Sequence, residues 1–249
     1  MTRLIFVSLL ALVSCTAAPS AVATAPPRAT PSPTLLVTTS APTASPTSAA
    51  AAFGYVAIGA SDTVGVGASD PRNGSWPARL AARLPAGTEY LNLGVSGSVA
   101  SQAARDQVPA AIATQPQLVT IWLAVNDLNA NLSASDYAAA LRSVVAPLVS
   151  GTTARIFIGD VPDLRPVPAY AGTDQAALLA RIAAYNAAIT ALAATFSGRV
   201  TVVDLFTGSG PLVSTITVSA DGFHPSDAGY ALIADRFATA MAGAGIVLR

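Results

Sequence analysis

The sequence predicts an α/β protein, specifically a three-layer α/β/α sandwich around a five-stranded parallel sheet. Short apolar runs alternate with amphipathic helical segments from residue 53 onward. The apolar runs show no polar face, which is typical of strands covered by helices on both sides. Residues 53–249 are also numerous enough to enclose one sizeable core. Alternation, two-sided apolarity and length together favour this class over an all-helical or all-strand fold.

Each element follows from local pattern. The five predicted strands cover 53–60, 90–93, 118–124, 155–159 and 200–205. The predicted helices cover 75–84, 101–113, 135–149, 174–196 and 226–242. Ser75 and Ser226 stand where an N-cap belongs. We expect Pro109 to bend or split its helix and Pro147 to disturb the next one, because proline removes a backbone hydrogen bond.

The N-terminal residues have the character of an export signal. Met1-Thr2-Arg3 is followed by an apolar run of about ten residues, too short to span a membrane. The sequence 12–15, Leu-Val-Ser-Cys, resembles the lipobox of bacterial lipoproteins. That resemblance implies a signal peptide over 1–14 and a lipid-modified Cys15 as the first mature residue. We therefore expect an extracytoplasmic lipoprotein held at a membrane by its lipid, or a secreted protein if the lipobox is not used.

Residues 15–52 are almost entirely Ala, Thr, Pro and Ser, with Arg28 as the only charge. Few large apolar groups are present to offset the entropy of ordering, so this segment is predicted to be a disordered tether. The folded domain is predicted to span 53–249.

Composition excludes several functions. The chain carries 13 basic and 13 acidic residues, every basic residue is Arg, and no basic cluster occurs, so we expect no nucleic-acid partner. A single His and a single Cys argue against a transition-metal site. Gly65-Val66-Gly67 lacks the third glycine of a dinucleotide loop. We expect no metal, no cofactor and a monomer.

The only histidine, His224, is the natural candidate for proton transfer near neutral pH. Asp221 precedes it by three residues and could orient its ring. Small and polar residues follow the predicted strands, and these positions meet at one edge of a parallel sheet. They form the blocks 59–65 (Gly-Ala-Ser-Asp-Thr-Val-Gly), 92–97 (Asn-Leu-Gly-Val-Ser-Gly) and 124–127 (Ala-Val-Asn-Asp).

These blocks, with 221–225 (Asp-Gly-Phe-His-Pro), resemble the SGNH (GDSL-type) hydrolases over essentially all of residues 53–249. The resemblance implies a flavodoxin-like fold and a serine esterase. Ser61 would be the nucleophile, His224 the general base and Asp221 the residue that orients the imidazole. The oxyanion hole would consist of the Ser61 N–H, the Gly94 N–H and the Asn126 side-chain amide. Activity would then fall in acid as the imidazole becomes protonated.

The blocks depart from the family pattern at two places. The family's acid before the serine is Ala60 here, and Asp62 follows the serine instead. We expect Asp62 to replace part of the support that this acid gives to the first loop. Ala124 stands where the family has a glycine. Neither change alters a group that performs the chemistry.

Other interpretations stay open at this point. An α/β-hydrolase would use Ser96, although Ser98 replaces the second glycine of the G-x-S-x-G motif. The chain could also be a surface-tethered binding module on a degenerate hydrolase scaffold, or an acyltransferase of the same fold.

The substrate class is a small-molecule or polysaccharide ester. We expect a modest acyl length, because no long apolar lid segment is evident. Loops 62–74, 95–101, 126–134, 161–173 and 206–220 should frame the pocket. Arg165 in the fourth loop could meet an anionic group, but we favour a solvated surface arginine.

Overall fold

A computed structural model describes residues 53–249. The predicted signal peptide 1–14, Cys15 and the tether 15–52 lie outside the described residues. Five strands form one parallel sheet: β1 (Gly54–Gly59), β2 (Glu89–Asn92), β3 (Leu118–Trp122), β4 (Arg155–Gly159) and β5 (Val200–Val203). Their spatial order is β2-β1-β3-β4-β5. This is the flavodoxin-like order, so the predicted fold class is confirmed.

Within residues 53–249, six helices of six or more residues connect the strands or follow the last one, and two of them, separated at Gln107, replace one predicted helix. The helices in chain order are α1 (Ser61–Val64), α2 (Pro71–Gly74), α3 (Trp76–Ala81), α4 (Ala100–Asp106), α5 (Val108–Ala113), α6 (Val125–Asn129), α7 (Ala134–Gly151), α8 (Gln175–Thr195) and α9 (Asp227–Gly243). The short helices α1, α2 and α6 were not predicted.

Helices cover both faces of the sheet, as its apolar strands require. Helices α4, α5, α7 and α8 pack on one face, where Ile58, Ile121 and Ile156 are fully buried. Helices α3 and α9 pack on the other face, where the Trp76 ring stacks on Phe237 at 4.3 Å between centroids. Each buried side chain of this size contributes about 1.5–3 kcal/mol to folding. These two layers hold the carboxyl ends of the strands in fixed positions.

The prolines behave differently from each other. The predicted helix 101–113 is split, with α4 ending at Asp106 and Pro109 lying in the first turn of α5. In contrast, α7 continues through Pro147 without interruption, so the predicted disturbance is wrong. Its face buries Tyr137, Leu141 and Leu148 in the core, which outweighs the loss of one backbone hydrogen bond.

The capping predictions also had different outcomes. Ser226 precedes α9 and its hydroxyl accepts a hydrogen bond from the Gly229 N–H at 3.3 Å, as an N-cap does. Ser75 occupies the N-cap position of α3, yet its side chain makes no capping hydrogen bond. Its hydroxyl is buried beneath the loop that follows β1.

Helix α8 is long and apolar enough by composition to cross a membrane. It instead packs on the sheet and on α7 through Leu178, Ile182 and Ile189, which are buried in the core.

Candidate active site

Ser61 follows β1 at the point where the strand order of the sheet reverses. The chain passes from β1 to β2 on one side and from β3 to β4 on the other. This divergence opens a crevice at the carboxyl ends of β1 and β3. Ser61 is the first residue of α1 and is 8% exposed. One cavity of about 220 Å³ lies between the Ser61 block and the block after β3. Ala60 and Asp62 line it from the first block, and Asn126 lines it from the other. The fold therefore brings the first and third sequence blocks together.

The Asp221–His224 pair lies on the loop before α9. The Asp221 Oδ2 and His224 Nδ1 atoms are 2.6 Å apart. The other oxygen, Oδ1, accepts hydrogen bonds from the Ser219 hydroxyl and from the backbone N–H groups of Phe223 and His224. With four contacts fixing the carboxyl, its second oxygen can only face the imidazole. The i,i+3 spacing thus gives the orientation that the sequence predicted.

Asp221 is held as a carboxylate. Partial desolvation works against its ionisation, but the hydrogen bonds from His224, Phe223 and Ser219 together lower the pKa of Asp221 well below its usual value. An ionised Asp221 accepts the Nδ1–H of His224 and leaves Nε2 free to take a proton. The His224 side chain is 16% exposed, so the imidazole is mostly buried but still reaches solvent.

Packing brings the His224 loop against the Ser61 loop. Gly67 lies on the Ser61 side with φ +95°, and a Cβ there would stand 2.5 Å from the Pro225 carbonyl oxygen. The hydroxyl of Tyr230 on α9 donates to the Val66 carbonyl. Within the described residues, no hydrogen bond joins Ser61 Oγ to His224. A long or absent Ser–His bond is common before substrate binds.

The three predicted oxyanion-hole donors have different surroundings. Ser61 is the first residue of α1, and its N–H donates no hydrogen bond to any group within 53–249. The Asn126 amide donates one of its two hydrogens to the Ser98 carbonyl at 3.0 Å and keeps the other. The Gly94 N–H donates to Asn92 Oδ1 at 2.9 Å, so an oxyanion would have to share or replace that bond.

Two amide side chains that the sequence analysis missed hold the Ser61 loop. The buried Gln107 accepts from the Gly59 N–H and donates to the Gly59 carbonyl, both at 3.0 Å. The Asn92 amide donates to the Thr63 carbonyl at 2.7 Å. Together they fix the backbone on either side of Ser61. Asn92 could have been found, because it begins the second block, but Gln107 had no such signal.

Asp62 does not support this loop, contrary to the sequence-based expectation. Among residues 53–249, no other residue donates a hydrogen bond to its carboxyl group. Burial raises the pKa of Asp62 to about 6, although the nearby His224 partly opposes this rise. Asp62 therefore lies within electrostatic reach of the catalytic candidates without being paired.

A larger cleft begins beside Asp62 and runs along α9. It encloses about 840 Å³, including the space at its mouth. Its walls are mostly apolar and come from the loops after β4 and β5 and from α9; they include Leu164, Val167, Leu205, Val213, Phe223 and Ile233. Asp62, Trp122 and Val125 line both the cleft and the smaller cavity. A molecule with its reacting group near Asn126 can thus extend into the cleft.

The remaining predicted positions are placed as follows. The Arg165 side chain is 40% exposed, as a surface arginine is, and its guanidinium forms two hydrogen bonds with the Asp163 carboxylate, at 2.9 and 2.8 Å. Ser96 lies in an exposed turn and lines neither cavity. Among residues 53–249, no three His, Cys, Asp or Glu side chains lie close enough together to hold a metal ion.

The Ala124 departure has a conformational consequence. Ala124 is 1% exposed and has φ +93°, a value that favours glycine. The backbone needs this turn because β3 ends at Trp122 and α6 must begin at Val125, one residue before Asn126. The strained residue therefore directs the Asn126 amide into the crevice.

Sequence comparison identifies the family of the chain. The profile of the GDSL-like Lipase/Acylhydrolase family matches residues 57–232. The match covers more than two thirds of the chain, and the chain belongs to this family. It supports hydrolysis of ester-type bonds in general terms. No curated protein matches the chain closely in sequence.

Solved structures share the fold. TesA is 21% identical with a TM-score of 0.63, covering 77% of this chain and 99% of its own. The esterase EstA from Pseudoalteromonas is 16% identical with a TM-score of 0.60, covering 76% and 97%. An acetyl-xylooligosaccharide esterase from Geobacillus is 20% identical with a TM-score of 0.62, covering 76% and 94%. At these identities the likeness establishes the fold alone.

Proposed function

We propose that this chain hydrolyses carboxylic esters through a covalent acyl-enzyme on Ser61. The observation that carries the proposal is the 2.6 Å Asp221–His224 pair on a loop packed against the Ser61 loop. An imidazole fixed by an ionised carboxylate is suited to take a proton from a nearby hydroxyl. The apolar cleft beside it supplies room for the organic part of an ester.

The first half of the reaction acylates Ser61. His224 Nε2 takes the Ser61 hydroxyl proton as Oγ attacks the ester carbon, and the resulting imidazolium is stabilised by Asp221. The carbonyl oxygen becomes an oxyanion held by donors from the Ser61 N–H and Asn126, with Gly94 as the third. The imidazolium then protonates the leaving alcohol, and the acyl group stays on Oγ.

The second half releases the acid. Water replaces the alcohol, gives a proton to His224 and attacks the acyl carbon. When the tetrahedral intermediate collapses, the proton returns to Ser61 and the carboxylic acid leaves. If an acceptor alcohol entered instead of water, the same steps would perform acyl transfer, so the alternative as a transferase needs no different residues.

The substrate we propose is an ester of modest acyl length, on either a small molecule or a polysaccharide. The cleft supports this because its walls are apolar yet it opens to solvent along α9. The fold neighbours include an esterase and an acetyl-xylooligosaccharide esterase. The test measures activity on p-nitrophenyl esters with acyl chains of two to sixteen carbons. A maximum at the longest chains would refute the proposed modest acyl length.

The decisive experiment compares two serines. We expect Ser61→Ala to lower kcat on p-nitrophenyl butyrate by about 10³-fold or more, while Ser96→Ala leaves it within about threefold. A fluorophosphonate probe should label wild type and Ser96→Ala but not Ser61→Ala. Full activity in Ser61→Ala would refute the proposed nucleophile. Absence of both labelling and turnover in the wild type would favour a binding module.

A further inference from the structure

Asp62 is the sheltered carboxyl that the proposed reaction does not use. Most acidic side chains in residues 53–249 accept a hydrogen bond from another residue, as Asp127 does from Ala100 and Asp160 does from Leu205. The exceptions besides Asp62 are Glu89, Asp106 and Asp235, which are all exposed to solvent, and Asp235 forms an ion pair with Arg83. Asp62 is half-buried and lines both cavities, so a ligand that fills them would displace its remaining water. A carboxyl that loses water needs a donor in exchange, and a ligand that supplies one avoids that cost.

The location of Asp62 determines which part of a ligand can reach it. It lines the small cavity that includes Asn126 and also the large apolar cleft. Trp122 and Val125 are the other residues that line both, so Asp62 is the only charged side chain of residues 53–249 at this junction. An ester with its carbonyl beside Asn126 and its chain in the cleft would lie next to Asp62. The group that meets the carboxyl lies within a few bonds of the ester carbon.

The protein itself cannot satisfy Asp62. Two tyrosines lie close enough to respond to its charge. The Tyr170 hydroxyl, however, donates to Asn129 Oδ1, and the Tyr230 hydroxyl donates to the Val66 carbonyl. Asp221 and His224 are the other charged neighbours, and they are paired with each other.

These neighbours also favour a neutral donor over a cation. His224 becomes an imidazolium during the reaction, so a substrate ammonium beside Asp62 would face a second positive charge. A hydroxyl group donates to a carboxylate without that repulsion. The rest of the cleft is mostly apolar, and its other carboxylate, Asp163, is already paired with Arg165.

We propose that Asp62 is a specificity-determining residue that selects esters bearing a free hydroxyl within a few bonds of the scissile bond. This inference rests on the proposed function, because it assigns a substrate class to the same site. The hydroxyl could belong to the acyl part, as in a hydroxy acid, or to the alcohol part, as in a partly acylated polyol or sugar. The chemistry at Asp62 is the same for both.

The test uses matched ester pairs on the wild-type protein and two variants. The acyl arm compares p-nitrophenyl 3-hydroxybutyrate with p-nitrophenyl butyrate. The alcohol arm compares 2-hydroxyethyl acetate with propyl acetate. For each pair we take the kcat/KM of the hydroxylated ester divided by that of the plain ester. In at least one arm, this ratio should be about tenfold or more higher in the wild type than in Asp62→Leu. Dividing by the variant's ratio removes differences in intrinsic ester reactivity.

Asp62→Asn is the matched control, because its amide oxygen still accepts a hydrogen bond. It should keep part of the preference, whereas Asp62→Leu should lose it. If Asp62→Leu fails to fold, judged by thermal unfolding and by fluorophosphonate labelling of Ser61, the wild-type and Asp62→Asn ratios still test the inference.

The outcomes distinguish the role of Asp62 from the esterase activity itself. Equal ratios in all three proteins, with plain butyrate hydrolysed in a Ser61-dependent way, would overturn the role of Asp62 and leave the esterase intact. An equal loss of kcat on every ester in Asp62→Leu would also overturn it, since that indicates action on His224. No Ser61-dependent turnover of any ester would instead refute the proposed function.

Discussion

Ala124 stands where the family has a glycine, and the backbone there adopts a conformation that favours glycine. Its φ of +93° lies where a Cβ costs about 1–3 kcal/mol. We expect Ala124→Gly to raise the free energy of unfolding by about 1 kcal/mol, because relief of this strain exceeds the entropy that glycine adds to the unfolded chain. Urea unfolding followed by circular dichroism measures the difference.

The control for that prediction is Ala183→Gly, on the exposed side of α8. There the backbone is helical, so glycine should lower stability by about 1 kcal/mol. Opposite signs at the two positions would attribute the gain to the backbone conformation of Ala124. A loss of stability in both variants would contradict the argument.

Residue-level prediction from the sequence succeeded where partners are close along the chain. Asp221 and His224 are three residues apart, so their contact follows from local geometry alone. Gln107 and Gly59 are 48 residues apart, and their two hydrogen bonds exist only because α4 and α5 pack beside β1. No periodicity or motif marks a buried glutamine as the support of a loop.

At the scale of elements, the central strands β1, β3 and β4 were predictable because burial on both faces leaves a continuous apolar run. The three short helices were not, since four or five residues are too few to show a 3.6-residue period. The strand order was available only through the family resemblance. What the sequence could not show is the cleft along α9, because its walls join the loop after β4 to the segment 205–236, about 40 residues further along the chain.

Asp160 links the ends of β4 and β5, and it makes stability depend on pH. Its Oδ1 accepts the Leu205 N–H at 2.7 Å, while burial raises the pKa of Asp160 to about 6. The unfolded chain ionises this group near pH 4, so ionisation destabilises the fold progressively between about pH 4 and 6. Asp160→Asn should therefore add about 1–2 kcal/mol at pH 7 and nothing below about pH 4.

Thermal unfolding of both proteins from pH 4 to pH 8 measures this difference. Asp106→Asn serves as the control, because it makes the same substitution at an exposed position. A stability difference for Asp160→Asn that is constant across the range would show that ionisation of Asp160 is not its cause.

For the whole molecule, the sequence predicts a catalytic domain attached to a membrane through Cys15. All residues of the proposed site lie within 53–249, and the cleft opens to solvent, so lipid attachment at position 15 changes location rather than chemistry. We propose that the protein is an extracytoplasmic lipoprotein. The full chain produced in a bacterial host should then sediment with membranes and incorporate labelled palmitate.

Cys15→Ser removes the single thiol that could carry the lipid. We expect this variant to lose the palmitate label and appear in the soluble extracytoplasmic fraction, with kcat/KM on p-nitrophenyl butyrate within about twofold of wild type. Thr16→Ala alters the neighbouring residue but keeps the thiol, and it should remain with the membranes. A wild-type protein that is soluble and unlabelled would refute the anchor while leaving the ester chemistry of the domain untouched. Because the anchor and the site are predicted to act independently, the two results can be obtained from one preparation and interpreted separately.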